Sequence, residues 1–262
     1  MSQLALITGA SSGIGLELAH CFARGGYSCI LVARRRERLK QLALDLKNAY
    51  GCDAEVLVTD LADPAAPQQL YLQVKQRQYN IDVLVNNAGF GNAGRFDRLS
   101  LQDELDLMHV NMVALGQLCR LFLSDFVCRG RGRVLNVASV AGFLPGPLMA
   151  SYYASKAYVV SLSRALQLEF QGSGVTVSVL CPGPTKTEFF ERADMQTAEL
   201  ARGRLMLMDS AAVVAEAGYR GTMKGKPLIV PGLANKFIVL AARLLPSGWS
   251  ARMVKRINRR HR

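Results

Sequence analysis

The chain has little of what builds metal or redox centres. Its 262 residues include 3 histidines and 6 cysteines. His20, His109 and His261 lack ligand spacing, and the first two fall within helical patterns, so no metal site is expected. No Cys-x-x-Cys pair occurs. Cys21, Cys29, Cys52, Cys119, Cys128 and Cys181 stand mostly among apolar neighbours, which predicts free thiols in a reducing compartment and no disulfide. No uninterrupted apolar run approaches the ~20 residues that span a bilayer. The N-terminus enters a strand pattern at once and leaves no room for a signal peptide, so a cytoplasmic protein is expected. Internal repeats, low-complexity tracts and interdomain linkers are also missing, and with this length one large α/β domain is the expectation.

Acidic residues are missing from one end. The formal net charge is +12, yet residues 217–262 carry 11 of the 32 Lys/Arg and no Asp or Glu, which leaves 21 basic against 20 acidic residues before them. The body is therefore nearly neutral and the charge belongs to the tail. No basic stripe with interleaved stacking aromatics accompanies it, so nucleic acid is not the expected partner.

Half of the residues are hydrophobic, and short apolar runs alternate with helical patterns. Strands are predicted at Leu4–Thr8, Tyr27–Ala33, Glu55–Thr59, Val83–Asn86, Arg133–Ser139, Thr176–Cys181 and Pro227–Val230. Helices are predicted at Ile14–Arg24, Arg36–Ala49 and roughly 103–128 and 152–170. That order implies βαβ units and a single Rossmann-type, doubly wound parallel sheet of about seven strands flanked by helices. Residues 184–210 read as irregular, where a substrate lid could sit.

Five stretches along this frame carry chemistry. Between the first strand and first helix runs Thr8-Gly9-Ala10-Ser11-Ser12-Gly13-Ile14-Gly15, a glycine turn opening a helix, where backbone N–H groups and the helix dipole receive phosphate. Three residues rather than one separate its first two glycines, so it departs from the common dinucleotide fingerprint. The second strand ends at Ala33-Arg34-Arg35-Arg36, without the acid that bonds ribose hydroxyls in NAD sites. Guanidinium forks there suit the extra phosphate of NADP, with Arg34 first and Arg35 second. Asp60-Leu61 and Asn86-Asn87-Ala88-Gly89 close the third and fourth strands at their carboxyl ends, where open α/β sheets bind ligands. Finally, Tyr152 and Lys156 are four apart and share a helix face, while Tyr153 lies about 100° around from Tyr152. An ammonium beside a phenol lowers its pKa and makes Tyr152 a usable acid or base.

These motifs, in this order, closely resemble the short-chain dehydrogenase/reductase family from Leu4 to about Gly232. The resemblance implies Gly9, Ser11, Ser12, Gly13 and Ile14 at the pyrophosphate, Asp60 and Leu61 at the adenine, and Asn86 to Gly89 at the adenosine ribose. It implies that Ser139 holds the substrate oxygen and Tyr152 exchanges its proton. Lys156 would bond the nicotinamide ribose, and Asn111 would anchor a proton-relaying water. Pro182, Gly183, Thr185 and Thr187 match the family's segment beside the nicotinamide. The expected reaction is reversible reduction of a carbonyl by NADPH, and the branch most resembled is that of bacterial DltE-like dehydrogenases and 3-oxoacyl reductases. The family often pairs through its long crossover helices, which implies a homodimer or homotetramer. Phe90, Phe143, Leu144, Leu148, Met149, Phe189 and Phe190 suggest an apolar pocket. Two other readings stand beside it: a catalytically silent NADPH sensor or scaffold, and a membrane-surface lipid-binding protein.

Residues 233–262 form a basic extension beyond residues 1–232. Trp249, Met253 and Ile257 fall near one helical face, with Arg252, Lys255, Arg256 and Arg259 on much of the other. Such a helix suits an anionic surface on the inner face of a membrane, and equally a contact with protein.

Overall fold

The computed structural model describes residues 3–193, 208–244 and 247–259. Most of the stretch expected to form a lid, residues 194–207, lies outside the described residues. Seven strands, β1 (Leu4–Thr8), β2 (Ser28–Ala33), β3 (Ala54–Val58), β4 (Val83–Asn86), β5 (Gly132–Val137), β6 (Val175–Leu180) and β7 (Leu228–Ile229), pair in parallel in the order β3-β2-β1-β4-β5-β6-β7. Each lies within two residues of its predicted bounds. Parallel strands need crossovers, and these place helices on both faces. On one face lie α1 (Gly13–Arg24), α2 (Arg36–Tyr50) and α8 (Ala211–Met223). On the other lie α3 (Ala66–Gln76), α4 (Leu101–Met108), α5 (Leu115–Cys128) and α6 (Ala150–Glu169). A short helix α7 (Phe189–Arg192) follows β6, and α9 (Leu233–Leu244) and α10 (Ser247–Ile257) end the described chain. Thr185–Lys186 pairs with Asp209–Ser210 in a two-residue ladder that brackets the excursion after β6.

The core is two apolar layers separated by the sheet. Strand alternation assigns them: in β1, Ala5 and Ile7 join the layer of α1, whereas Leu6 joins that of α5. α4 and α5 run on through a π turn, His109–Ala114, as one helix from Leu101 to Cys128. This helix is long and apolar enough to cross a bilayer by composition, against the expectation that no apolar run approaches that length. Leu107, Leu118, Phe122 and Phe126 are nonetheless buried against the sheet, as in a core helix.

One set of polar groups in this core is linked across two strands and a helix. Asn86 and Asn136 face each other in register across β4 and β5, and Asn86 Nδ2 donates to Asn136 Oδ1 at 2.9 Å. Asn136 Nδ2 donates in turn to Ser163 Oγ at 2.9 Å, which itself donates to the Val159 carbonyl. Buried amides are costly unless paired, so each link holds the next. Replacing Asn136 by Leu leaves the Asn86 amide without that partner and should cost about 2–3 kcal/mol of unfolding free energy, read from urea denaturation.

Candidate active site

Between β1 and β4 the strand order reverses direction, and the crossovers leave a crevice at the carboxyl ends of the strands. A cavity of about 740 Å³ occupies it. Along its floor lie Gly9, Ser11, Ser12, Gly13 and Ile14 from the turn between β1 and α1. Gly9 and Gly13 have φ of +68° and +57°, and a Cβ on Gly9 would meet the Asn87 amide at 2.8 Å. The turn is thus packed against the loop after β4 with no room for a side chain at Gly9. Ser12 is the N-cap of α1 yet makes no side-chain cap bond, and no acid stands in the first turn. The first N–H groups of the helix keep their capacity for an anion.

Arg34, Arg35, Asp60 and Leu61 border one end of the cavity. Arg35 donates to Ser11 Oγ at 3.1 Å and to Ser12 Oγ at 2.6 Å, and pairs with Glu188 at 2.7 Å. Arg38 also bonds Glu188, and the two guanidiniums hold that carboxyl down at about 2. Neither Arg38 nor Glu188 was expected from the sequence. Glu188 sits 150 residues from Arg38, so only the fold brings them together. Arg34 stands 3.6 Å from Asp60 across the half-exposed rim.

Asn87, Ala88 and Gly89 line the middle of the cavity, with Asn87 N and Ala88 N donating to Thr8 Oγ1 at 3.0 and 3.1 Å. Asn86 does not join them. Its side chain points into the core pair with Asn136, because successive residues of a strand face opposite sides. Its expected place at a ribose is therefore corrected to a place beneath the site.

At the other end Ser139, Tyr152 and Lys156 meet. Ser139 caps the turn Val140–Phe143, accepting from Ala141 N at 3.1 Å and donating to the Pro182 carbonyl at 3.3 Å. Lys156 is 5% exposed and donates to the Val137 carbonyl at 3.1 Å, with Nζ 5.7 Å from the centre of the Tyr152 ring. Burial pushes the Lys156 ammonium down to about 8 and raises the Tyr152 phenol above its ordinary value, with Ser139 drawing it partly back. The expectation that Lys156 holds Tyr152 below the usual phenol range is thus corrected: desolvation dominates, and the ammonium is bonded to a backbone carbonyl. Pro182, Gly183, Thr185 and Thr187 close this end from the loop after β6.

Asn111 sits in the π turn, 1% exposed and outside the cavity lining. Its Oδ1 accepts from Phe90 N at 3.1 Å, and its Nδ2 donates to the Phe90 carbonyl at 2.9 Å and to Ser155 Oγ at 3.0 Å. All its side-chain bonds thus clamp the loop after β4 to α6.

Of the residues expected to wall an apolar pocket, Phe90, Leu144, Met149, Phe189 and Phe190 line the cavity, whereas Phe143 and Leu148 do not. Unexpected contributors are Ile238 from α9 and Met253, Val254 and Ile257 from α10. The tail packs on the body. Val254 is buried with Ala141, Met149, Tyr153 and Phe190, while Asn258 bonds the Tyr153 hydroxyl at 3.4 Å and the Pro147 carbonyl at 3.0 Å. The buried stripe of α10 is Ser250, Val254 and Asn258, one step around the helix from the apolar face read in the sequence. Its signal was faint because two of the three are polar.

A model of the short chain dehydrogenase family matches residues 3–198. The ketoacyl reductase HetN of Nostoc sp. is 35% identical over 178 residues, 68% of this chain and 62% of that protein. A short-chain dehydrogenase from Sphingobium yanoikuyae, solved in complex with NADPH, superposes with a TM-score of 0.82 at 33% identity, covering 92% of this chain and 93% of that one. The bulky-bulky ketone specific alcohol dehydrogenase from Comamonas testosteroni gives a TM-score of 0.78 at 29% identity over 92% of each chain. By sequence, by sheet order and by the cavity at its switch point, the chain belongs to the short-chain dehydrogenase/reductase family of oxidoreductases.

Proposed function

We propose that this oxidoreductase uses NADPH to reduce the carbonyl group of an apolar substrate, reversibly, with Tyr152 as the proton donor. The observation that carries the reading is the meeting of Ser139, Tyr152 and Lys156 at the apolar end of a cavity whose far end bears Arg34 and Arg35. The residues fit a phosphorylated dinucleotide. The glycine turn packs against Asn87, Ala88 and Thr187 too closely to carry side chains, the N-cap Ser12 makes no side-chain bond to the first turn of α1, and cations rather than a lone acid border the adenosine end. When bound, the cofactor supplies the hydride.

The protein's own groups handle the proton and the charge. A buried phenol that stays protonated is suited to donate, and Tyr152 gives its proton to the oxygen that gains charge. Ser139 Oγ stabilises that oxygen by a hydrogen bond strengthened in a dry site. Lys156, when charged, lowers the cost of the tyrosinate left behind. Asn111 acts as a positioning residue by fixing Phe90 and Ser155 around this group. Gly183, Thr185 and Thr187 would orient the nicotinamide, and Arg34, with Arg35 behind it, the extra phosphate.

The aromatic and aliphatic walls favour bulky acyl or ring ketones over sugars, in keeping with a ketoacyl reductase and a bulky-ketone dehydrogenase among the similar proteins. Leu101, Leu105 and Val113 are exposed along the α4–α5 helix, which supports pairing of two copies there into a homodimer or homotetramer. Five of the six free thiols are buried, which suits the cytoplasm.

Tyr152→Phe should lower the reduction rate by about 10²–10⁴-fold while leaving NADPH affinity intact; calorimetry beside steady-state kinetics checks this, and full activity in the variant would remove the assigned acid. Arg34→Asp should weaken NADPH binding by about 10–100-fold and shift preference toward NADH, again by calorimetry. The pH behaviour follows from Lys156. Reduction should be full below about 8 and fall as pH rises through that value, because the protonated form assists. Stability of the ligand-free protein should move the other way. The folded state binds fewer protons between about 8 and the unfolded value of 10.5, so melting temperature rises with pH over that window. Lys156→Met should abolish that rise and increase stability near neutral pH by about 1–3 kcal/mol while removing most activity.

A further inference from the structure

The two C-terminal helices bury one face and leave a second apolar face uncovered. On α9, Leu233, Phe237, Leu240 and Leu244 recur at steps of four, three and four, which is one stripe of a helix, and they are 83%, 71%, 55% and 77% exposed. On α10, Trp249 and Met253 are 71% and 50% exposed. The opposite faces are occupied. Asn235 and Val239 of α9, and Ser250, Val254 and Asn258 of α10, are buried. Both helices rest on the same part of the body, α9 on the turn Val140–Phe143 and α10 on Ala141, Met149 and Tyr153. Their outer faces therefore share one side of the molecule. So many large apolar side chains exposed together mark an interaction surface rather than ordinary scatter.

The charge around the patch identifies what it meets. Lys236, Arg252, Lys255, Arg256 and Arg259 are exposed on the same helices, and no Asp or Glu occurs from residue 217 onward. A second copy of this face would bring like charges together without an acid to pair them. An anionic lipid surface offers both an apolar layer for the stripe and phosphates for the cations.

We propose that α9 and α10 form a docking surface for an anionic membrane, and that Ile238, Met253 and Ile257, which line the cavity from these helices, make a passage by which an apolar carbonyl compound enters from lipid. The passage rests on the carbonyl-reductase reading; the docking does not. Trp249 is the only tryptophan in the chain and reports on the face directly. With phosphatidylglycerol vesicles at low salt, its emission should shift to the blue and the full-length protein should co-sediment. Phosphatidylcholine vesicles should produce little of either, and added salt should reverse the binding. The double substitution Phe237→Ser with Leu240→Ser should weaken partitioning by about tenfold or more at unchanged NADPH affinity, which also verifies that the variant is folded.

Absence of a shift and of co-sedimentation would overturn the proposal, as would equal binding to both lipids or binding indifferent to the double substitution. So would a concentration-dependent dimer formed without lipid through the same residues. Because fluorescence and sedimentation need no turnover, an inactive protein that docks would sink the enzymatic reading alone, and an active protein that does not dock would sink this one alone.

Discussion

The site is organised around one buried ammonium. Lys156 reaches the Val137 carbonyl at the end of β5, and its surroundings are shaped to let it do so. A Cβ on Gly142 would press on the Lys156 backbone at 2.7 Å, and one on Gly89 would come within 3.3 Å of Nζ. Both positions are glycine, which lets α6 lie close to the turn after β5 and the loop after β4. The neighbouring Ser155 is tied through Asn111 to the same loop. Removing the charge would thus relieve a desolvation cost and at the same time leave this arrangement without its purpose.

α6 shows how the fold tolerates such a group. Its buried face carries Ser155, Lys156 and Ser163 among Tyr153, Val159 and Val160, so it is polar where a core helix is usually apolar. Each of the three polar side chains has a named partner: Asn111, the Val137 carbonyl, and Asn136 with the Val159 carbonyl. The ladder from Asn86 through Asn136 to Ser163 continues the same device under the sheet, joining β4, β5 and α6 by directional bonds. Apolar contacts fix which layer a segment joins, and these bonds fix its register within the layer.

Much of this was legible in the sequence. Strand bounds were readable because parallel strands buried on both sides are short unbroken apolar runs. The cradle and the Tyr152–Lys156 pair were readable because their spacing is local. What escaped depended on direction or distance. Asn86 looked like its neighbours in a polar run, but strand alternation turns it inward. Asn111 bonds Phe90 and Ser155, contacts that its place on an apolar helix does not announce. The Glu188 contacts with Arg35 and Arg38 join segments some 150 residues apart. Spacing shows a cation near Tyr152 but not the loss of water around the phenol, which raises it.

Tyr153 stands beside Tyr152 and yet spends its hydroxyl on Asn258 near the end of the described chain. The two adjacent rings thereby divide the labour, one beside Lys156 in the cavity wall and the other serving as the peg on which the outer wall hangs. The cavity is consequently walled by separable stretches of polypeptide, the sheet with its motifs and a helical pair laid over it. Such a two-part build lets the outer wall of the cavity vary while the motif-bearing groups underneath keep their geometry.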